Sequence, residues 1–350
     1  MRRQIYITIL KMLFIAIVAS LVIDQLFVQI VIPNQYDFSN VKKIKKLIEQ
    51  ERPEEIPILG SSIAKRSYYP DSIGQGYYNY GMAGSVFVML EPLIKIELEK
   101  EKTNPIIIDF EHHFFLSHDE IRIQLSNYIP HVDNSHIRKM LEERGLLNYQ
   151  YDIPGLRLFG QYDEYLLDLL RLRFNREYSN RGGLFFKYKK KDFRLYRERR
   201  QRMIDEMKTL RKLRIERPKM LNSEKEYKLE LLDILLNSRP DPKYVARFEK
   251  LLTDNRKRDF ILVYSPQHSI KLMGLENHGE VVALLSKLDA DHDNLFVLDY
   301  SLAGFTDDHY HDSGHMNIKG AHRFSSMLRR DIERIFPERS DLWTPKLLDQ

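Results

Sequence analysis

The chain has 350 residues, of which 43% are hydrophobic and 30% are charged, and its formal net charge is +5. This length suits one large domain with an insertion, or two smaller domains. The mild positive charge suggests attraction to anionic membranes or polymers. No cysteine is present, which excludes a disulfide framework, thiolate zinc sites and a cysteine nucleophile.

The N-terminal segment predicts a membrane anchor. From Ile5 to Ile23 the only charged residue is Lys11, and the apolar run continues beyond it with Asp24 as an interruption. About 20 mostly apolar residues are enough for a helix to cross a bilayer core. We interpret residues 1–33 as an uncleaved transmembrane signal anchor. The alternative is a signal peptide that is cleaved near Ala19.

After the anchor, residues 34–54 predict a polar juxtamembrane helix, and short apolar strands then alternate with helical stretches. The predicted strands are Ile56–Gly60, Tyr77–Tyr80, Pro105–Phe110, Asp259–Tyr264 and Asn294–Asp299, and the predicted helices are Val86–Glu99, Glu276–Leu288 and Asn317–Phe336. This alternation is typical of a parallel sheet that is covered on both faces. Five such strands predict an α/β fold with a flavodoxin-like, doubly wound sheet.

A long segment, residues 117–258, separates the third predicted strand from the fourth. It is too long for a loop and predicts a helical insertion. Its middle is strongly basic, with Lys187, Lys189, Lys190, Lys191, Arg194, Arg197, Arg199, Arg200 and Arg202 close together. Such a stretch is either a solvated helical face with ion pairs or a patch that meets lipid head groups or an anionic polymer. Beside a membrane span we expect no nucleic-acid partner.

The first predicted strand ends at Gly60-Ser61-Ser62, directly before a predicted helix. Open α/β sheets bind ligands at the carboxyl ends of their strands, so a serine there is a candidate nucleophile. A serine is also a good helix N-cap, which gives the same residues a purely structural interpretation.

Glycines and an acid–histidine pair follow two other strands. Gly84, after the second strand, can present a backbone N–H to an oxyanion without a side chain in the way. Asp312 stands three residues before His315 on a short predicted turn before the last helix. Such a carboxylate can hold one imidazole nitrogen while the other acts as a general base.

Together these residues resemble the SGNH or GDSL hydrolase superfamily. In that family the first block carries the nucleophilic serine, the second and third blocks carry a glycine and an asparagine of the oxyanion hole, and the last block reads Asp-x-x-His. The resemblance implies Ser62 as nucleophile, Gly84 and the Ser62 N–H as oxyanion donors, Asp312 as orienting acid and His315 as base. It implies an SGNH-like fold over the framework and does not cover the insertion.

Two positions depart from the family pattern. Gly60-Ser61-Ser62 stands where Gly-Asp-Ser is usual, and with the anchor and insertion it looks more like envelope members similar to the D-alanyl-lipoteichoic-acid D-type and alginate-acetylation proteins. Those relatives work beside membrane-bound O-acyltransferases. The third block reads Asp109-Phe-Glu-His-His-Phe114 without an asparagine, so His112 or His113 is the candidate donor. An incomplete oxyanion hole costs roughly 3–4 kcal/mol, which favours a specialised transferase over a fast hydrolase.

A zinc site is an alternative use of the histidine-rich segments, because imidazoles and a carboxylate can bind this metal. The residues concerned are His112, His113, His309, His311, Asp312 and His315. The Asp-x-x-His match accounts for two of them without a metal. We therefore expect no metal and no cofactor.

These observations predict four regions: the anchor 1–33, the juxtamembrane helix 34–54, an SGNH-like catalytic domain from 55–116 and 259–340, and the basic insertion 117–258. The expected function is transfer of an acyl group, for which we expect acetyl, to an envelope polysaccharide or other acylated polymer, or its removal from one, through an acyl-serine. The catalytic domain is expected outside the cytoplasm, on a single-pass membrane protein, with a membrane-bound O-acyltransferase as a candidate partner. The alternative is an inactive SGNH-like scaffold or polymer-binding protein.

Overall fold

The structure is a computed structural model that describes residues 2–32, 35, 37–50, 52–115, 124–153, 155–158, 162, 165, 177–237 and 239–342. Its strands are β1 (Ile56–Leu59), β2 (Tyr77–Asn79), β3 (Ile106–Phe110), β4 (Glu177–Asn180), β5 (Gly183–Phe186), β6 (Phe260–Tyr264) and β7 (Leu295–Asp299). Five of them form an all-parallel sheet in the order β2-β1-β3-β6-β7, while β4 and β5 form an antiparallel hairpin. Counted along the chain, this is the 2-1-3-4-5 order of flavodoxin-like sheets.

Both faces of the sheet are buried, because successive side chains of a strand point to opposite faces. In β3, Ile106 and Ile108 belong to one apolar cluster and Ile107 belongs to the other. In β6, Leu262 and Val263 divide between the two clusters in the same way. This double burial explains why these strands are continuous apolar runs in the sequence and do not alternate with polar residues.

Helices cover the two faces unequally. The helices whose residues enter the larger cluster are Asn40–Glu49, Phe87–Leu98, Ser135–Glu143, Pro242–Asp254 and His278–Asp291. The helices on the other face are Ser62–Ser67, Pro70–Ile73, Ser269–Leu272 and Ile318–Ile335. The sheet is therefore covered on both sides, as its sequence predicts. The five predicted strands and the helices after the second, fourth and fifth of them are confirmed, with ends that differ by up to three residues.

The segment between β3 and β6 is only partly helical. Its ends pack into the larger sheet cluster through Leu141 and Phe248, among others, so they share the core of the sheet domain. Helices Arg194–Glu216 and Ser223–Asn237 pair through a small cluster of their own. The β4–β5 hairpin departs from the expected all-helical insertion.

A two-residue turn accounts for the hairpin. Arg181 and Gly182 connect the two strands, and both have positive φ, 37° and 83°. Positive φ at both central residues defines the tight turns whose twist matches paired strands. The Arg-Gly signal is weaker than the usual Asn-Gly, so the surrounding basic and polar residues concealed it in the sequence.

The N-terminal helix runs from Arg2 to Leu26 and continues through a π-helical turn, Phe27–Val31. The stretch Gln4–Val31 is long and apolar enough to cross a membrane. Within the predicted juxtamembrane region, the helix Asn40–Glu49 begins at Ser39, whose hydroxyl accepts the N–H of Lys42. Lys43 and Ile44 of this helix are buried against the sheet domain.

Candidate active site

The turn after β1 presents Ser62 at the carboxyl edge of the sheet. Ser61 caps the helix Ser62–Ser67, because its hydroxyl accepts the N–H of Ile63 at 3.1 Å. Gly60 is required by close packing: a Cβ there would lie 2.7 Å from the Cβ of Ala64. Ser62 is thus the first helical residue and is partly exposed. The N-cap of this helix is Ser61, not Ser62.

The Asp312–His315 turn is built from its own hydrogen bonds. Asp312 Oδ1 accepts the backbone N–H groups of Gly314 at 2.8 Å and of His315 at 2.9 Å. Both carboxylate oxygens of Asp312 also lie 3.0 Å from Nδ1 of His315. Burial alone would raise the pKa of Asp312, but these hydrogen bonds and the His315 ring outweigh it and lower the pKa to about 2.

The two turns meet. Nε2 of His315 lies 2.9 Å from Oγ of Ser62, although the two residues are 253 positions apart. Ser62, His315 and Asp312 therefore form one hydrogen-bonded chain, the geometry in which a histidine activates a serine. Because Asp312 is ionised and acceptor-only, Nδ1 of His315 must donate to it, which leaves Nε2 able to accept the Ser62 proton.

Asn79 ties the turn after β2 to the helix that carries Ser62. Its Oδ1 accepts the N–H of Gly81 at 2.9 Å, and its Nδ2 donates to the carbonyls of Ala64 and Tyr68 at 2.8 and 2.9 Å. Farther along this turn, Gly84 has φ +73°, and a Cβ there would have no atom within 4 Å. Gly84 is exposed, and its oxyanion role stays a prediction.

Lys43 of the juxtamembrane helix also reaches this turn. Its side chain is fully buried, and its ammonium donates to the carbonyl of Gly81 at 2.6 Å. Burial, together with the nearby Lys65 and Arg66, lowers the pKa of Lys43 well below its usual value. The helix Asn40–Glu49, which follows the N-terminal helix, is therefore joined directly to the turn that carries Gly84.

The turn after β3 holds acidic and histidine side chains. Glu111 pairs with Lys271 at 3.1 Å. Burial raises the pKa of Glu111, but Lys271, His113 and the Ser61 hydroxyl outweigh it, so the pKa lies below its usual value. His112 is buried, with its ring 4.0 Å from that of His113, and burial lowers the pKa of both. The oxyanion role of His112 stays a prediction.

Asp109 packs against the turn that carries Ser62, since a Cβ on Gly60 would lie 2.6 Å from the Asp109 Cβ. Its Oδ1 accepts hydrogen bonds from Tyr68 at 2.9 Å and from Ser265, and among the described residues its Oδ2 has no partner. Burial raises the pKa of Asp109 to about 7; the nearby Glu111 adds to the rise, while the Ser265 and Tyr68 hydroxyls oppose it. Sequence analysis missed this residue and Glu111 as partners of the site. The available signal was an acid at the carboxyl end of a buried strand.

The hairpin forms one rim of the site. Phe186, the last residue of β5, stacks on His311 with ring centroids 3.5 Å apart, and the guanidinium of Arg66 lies 3.7 Å from the Phe186 ring. Lys191 lies 3.1 Å from Nε2 of His311. Burial and the Lys191 charge lower the pKa of His311 to about 4, so this imidazole is neutral at pH 7 and accepts from the lysine.

The histidines of the last turn have separate partners. His309 Nδ1 lies 3.0 Å from the Thr306 hydroxyl and its Nε2 lies 3.2 Å from Arg323, whereas His311 stacks on Phe186. Within the part of the chain that the structure describes, no three histidine or acidic side chains are arranged to hold a metal ion. The site's geometry is explained by the serine–histidine–aspartate chain.

No protein-family model matches the chain, and no curated protein matches it in sequence. The fold and the contacts around Ser62 are consequently the basis for a functional conclusion. Of the residues that sequence analysis selected, Ser62, Asp312 and His315 are brought into contact.

Proposed function

We propose that this protein is a membrane-anchored serine acyl-ester enzyme of the SGNH type, with Ser62, His315 and Asp312 as its catalytic triad. The observation that carries the proposal is the 2.9 Å contact between Ser62 Oγ and His315 Nε2, with Asp312 on the opposite ring nitrogen. The parallel sheet supports it further, because the serine lies at the edge where open α/β sheets bind ligands.

In the first half-reaction, Ser62 Oγ attacks the carbonyl carbon of an acyl ester while its proton passes to Nε2 of His315. The backbone N–H groups of Ser62 and Gly84 are the proposed donors to the carbonyl oxygen as it becomes an oxyanion. Collapse of this intermediate breaks the ester bond, and protonated His315 gives its proton to the departing alkoxide. The acyl group then remains on Ser62.

In the second half-reaction, His315 takes the proton of an acceptor hydroxyl as that oxygen attacks the acyl-serine. Ser62 leaves with the proton from His315, and the enzyme is restored. Asp312 holds the imidazole in the required tautomer and stabilises its positive charge in both steps. We propose a sugar hydroxyl of an envelope polymer as acceptor, with water as the competing one.

The N-terminal helix supports placement of this chemistry at a membrane. Gln4–Val31 is long enough to cross a bilayer, and we propose that it anchors the catalytic domain on the extracytoplasmic side. An envelope acyl acceptor lies on that side, and a membrane-bound O-acyltransferase would supply the acyl group there.

The test is covalent labelling of the full chain in detergent with a fluorophosphonate probe, which reacts with activated serines. We expect labelling of the wild type that is lost in Ser62→Ala and His315→Ala. Ser326→Ala is the matched control, because this hydroxyl is exposed and donates to the His322 carbonyl of its own helix. Unlabelled, folded wild-type protein would favour a non-catalytic scaffold that binds an envelope polymer. Labelling that persists in Ser62→Ala would place the nucleophile elsewhere.

A further inference from the structure

An acidic residue lies inside the apolar N-terminal helix. Asp24 is only 2% exposed, whereas the apolar side chains of this helix are largely exposed. Its Oδ2 accepts the N–H of Gly155 at 3.1 Å, and its Oδ1 accepts the N–H of Leu158 at 3.0 Å. The hydroxyl of Tyr162 also donates to Oδ1, at 3.3 Å. A loop more than a hundred residues away is therefore bound to this helix.

The depth of this contact follows from the length of the span. The apolar stretch Gln4–Val31 has 28 residues, and a bilayer core takes about 20 of them. Every such window within the stretch includes Leu21. Gly155 packs directly on Leu21, since a Cβ on Gly155 would lie 2.8 Å from the Leu21 Cα. If the helix crosses a bilayer, Gly155 lies at or within the boundary of its hydrocarbon.

The hydrogen bonds of Asp24 suit this depth. Non-helical backbone is tolerated at membrane level only where its polar groups are satisfied by protein, because lipid offers no hydrogen bonds. The Asp24 carboxyl group supplies acceptors for two N–H groups of the loop. This explains why an acid interrupts an otherwise apolar span.

The same loop exposes apolar side chains on its outer side. Tyr149 is 80% exposed, Ile153 41% and Leu156 36%. Such residues are costly in water but suit the headgroup region, where tyrosine is enriched and apolar side chains reach the acyl boundary. Their position on a loop that is bonded to the span makes a lipid surface the matching partner.

We propose that residues 149–153 and 155–158 form a membrane-embedded loop, hereafter the interfacial loop, that docks the catalytic domain on the lipid bilayer. The proposal rests on the membrane-spanning role proposed above for the N-terminal helix. It adds that the domain is held by two adjoining elements, the span and the loop, in one orientation. A flexible tether would allow the domain to rotate freely above the membrane.

The absence of cysteine from the chain makes a site-specific test direct. Single variants Ile153→Cys and Leu156→Cys of the full chain carry an environment-sensitive fluorophore and are reconstituted in phosphatidylcholine–phosphatidylglycerol vesicles. Brominated phosphatidylcholine then serves as the quencher. Ile15→Cys, an exposed position of the span, is the positive control, and Tyr227→Cys, exposed on the helix Ser223–Asn237, is the negative control.

We expect quenching of both loop labels, closer in extent to Ile15 than to Tyr227. Quenching at Ile15 but at neither loop position would overturn the interfacial loop and leave the anchor intact. A label at Ile15 that lipid does not quench would remove both the anchor and the loop. Blue-shifted loop labels without quenching would mean that protein covers the loop, which also contradicts the proposal.

A second variant tests the role of Asp24. In Asp24→Ala, the N–H groups of Gly155 and Leu158 lose their acceptor, so the loop should leave the bilayer. We expect weaker quenching at Leu156 with quenching at Ile15 unchanged. Equal quenching at Leu156 with and without the carboxylate would contradict the assigned hydrogen bonds as the device that holds the loop.

Discussion

Two regions contribute acids to the site: the carboxyl end of β3 together with the turn after it, and the Asp312–His315 turn. They hold these acids in different ways. Asp312 receives its hydrogen bonds from within three residues of itself. Asp109 and Glu111 depend on Tyr68, Ser265 and Lys271, which come from distant parts of the chain. A side chain with local partners is positioned by its own turn, whereas one with remote partners is positioned only when the whole sheet has formed.

The difference appears in the pKa values of Asp312, which is partly exposed, and of Asp109, which is buried. Three N–H donors and the charge of the His315 ring hold the pKa of Asp312 at about 2, against the effect of burial. Asp109 has two hydroxyl donors and one oxygen without a described partner, and burial raises its pKa to about 7. At neutral pH one acid is a fixed anion that can stabilise an imidazolium, and the other is partly protonated.

The largest effect is expected from Asp312→Asn, which would break the local arrangement. An asparagine amide facing Nδ1 would favour the wrong imidazole tautomer, so His315 could no longer take the Ser62 proton. We expect the second-order rate of fluorophosphonate labelling to fall by roughly 10³- to 10⁴-fold. The measurement is the time course of labelling of the full chain in detergent at pH 7.5.

Asp308→Asn is the matched control for this prediction, because Asp308 is an exposed acid of the same segment that lies 3.7 Å from Lys319. Its labelling rate should equal that of the wild type. If Asp312→Asn also reacted at the wild-type rate, His315 would be oriented without its carboxylate partner. The local hydrogen bonds that keep Asp312 ionised would then have no role in the reaction of Ser62.

A smaller effect is expected from Asp109→Asn, measured as the free energy of unfolding between pH 4 and pH 8. A carboxyl whose pKa is raised on folding binds more protons in the folded state, so its contribution to stability falls as pH rises from about 4 to about 7. The variant should therefore gain stability relative to the wild type with rising pH, by at most about 4 kcal/mol at 1.36 kcal/mol per pKa unit.

Asparagine can still accept the hydrogen bonds of Tyr68 and Ser265 through its Oδ1. The control is Asp254→Asn, at an exposed carboxyl that is paired with Lys250, measured over the same pH range. If the difference in free energy of unfolding between Asp109→Asn and the wild type did not change with pH, burial would not shift the pKa of Asp109. The two regions would then differ less than their hydrogen bonds indicate.

The sequence predicted the parts of the molecule that local pattern determines. Continuous apolar runs predicted the five strands, and the spacing of Asp312 and His315 predicted their hydrogen bond, because a three-residue separation brings the groups together in one turn. The β4–β5 hairpin was missed because its Arg-Gly turn is a weak signal. The contact of Lys43 with Gly81 was equally inaccessible, since no spacing shows which lysine is buried.

The smallest effect is expected at the ion pair of Glu111 and Lys271, which tests directly whether the turn after β3 depends on a remote partner. The Glu111 and Lys271 side chains are 14% and 23% exposed. Glu111 follows β3, whereas Lys271 lies on the helix Ser269–Leu272, 160 positions away. Lys271→Met would leave a mostly buried carboxylate without its cation, and we expect a loss of roughly 1–3 kcal/mol at pH 7. Glu111→Gln together with Lys271→Met should recover part of this loss, with a coupling energy of about 1–2 kcal/mol.

The pH dependence of this pair has the opposite sign to that of Asp109. Because the pKa of Glu111 is lowered on folding, its stabilising contribution is present above the unfolded pKa of about 4.3 and is lost as pH falls through the folded value. The cost of Lys271→Met should therefore shrink below pH 4. Lys250→Met, at an exposed pair, should cost about 0–1 kcal/mol in the same measurements. If Lys271→Met cost as little stability as Lys250→Met, the turn after β3 would not depend on its remote partner Lys271. The proposed difference between this turn and the Asp312–His315 turn, remote against local partners, would then be wrong.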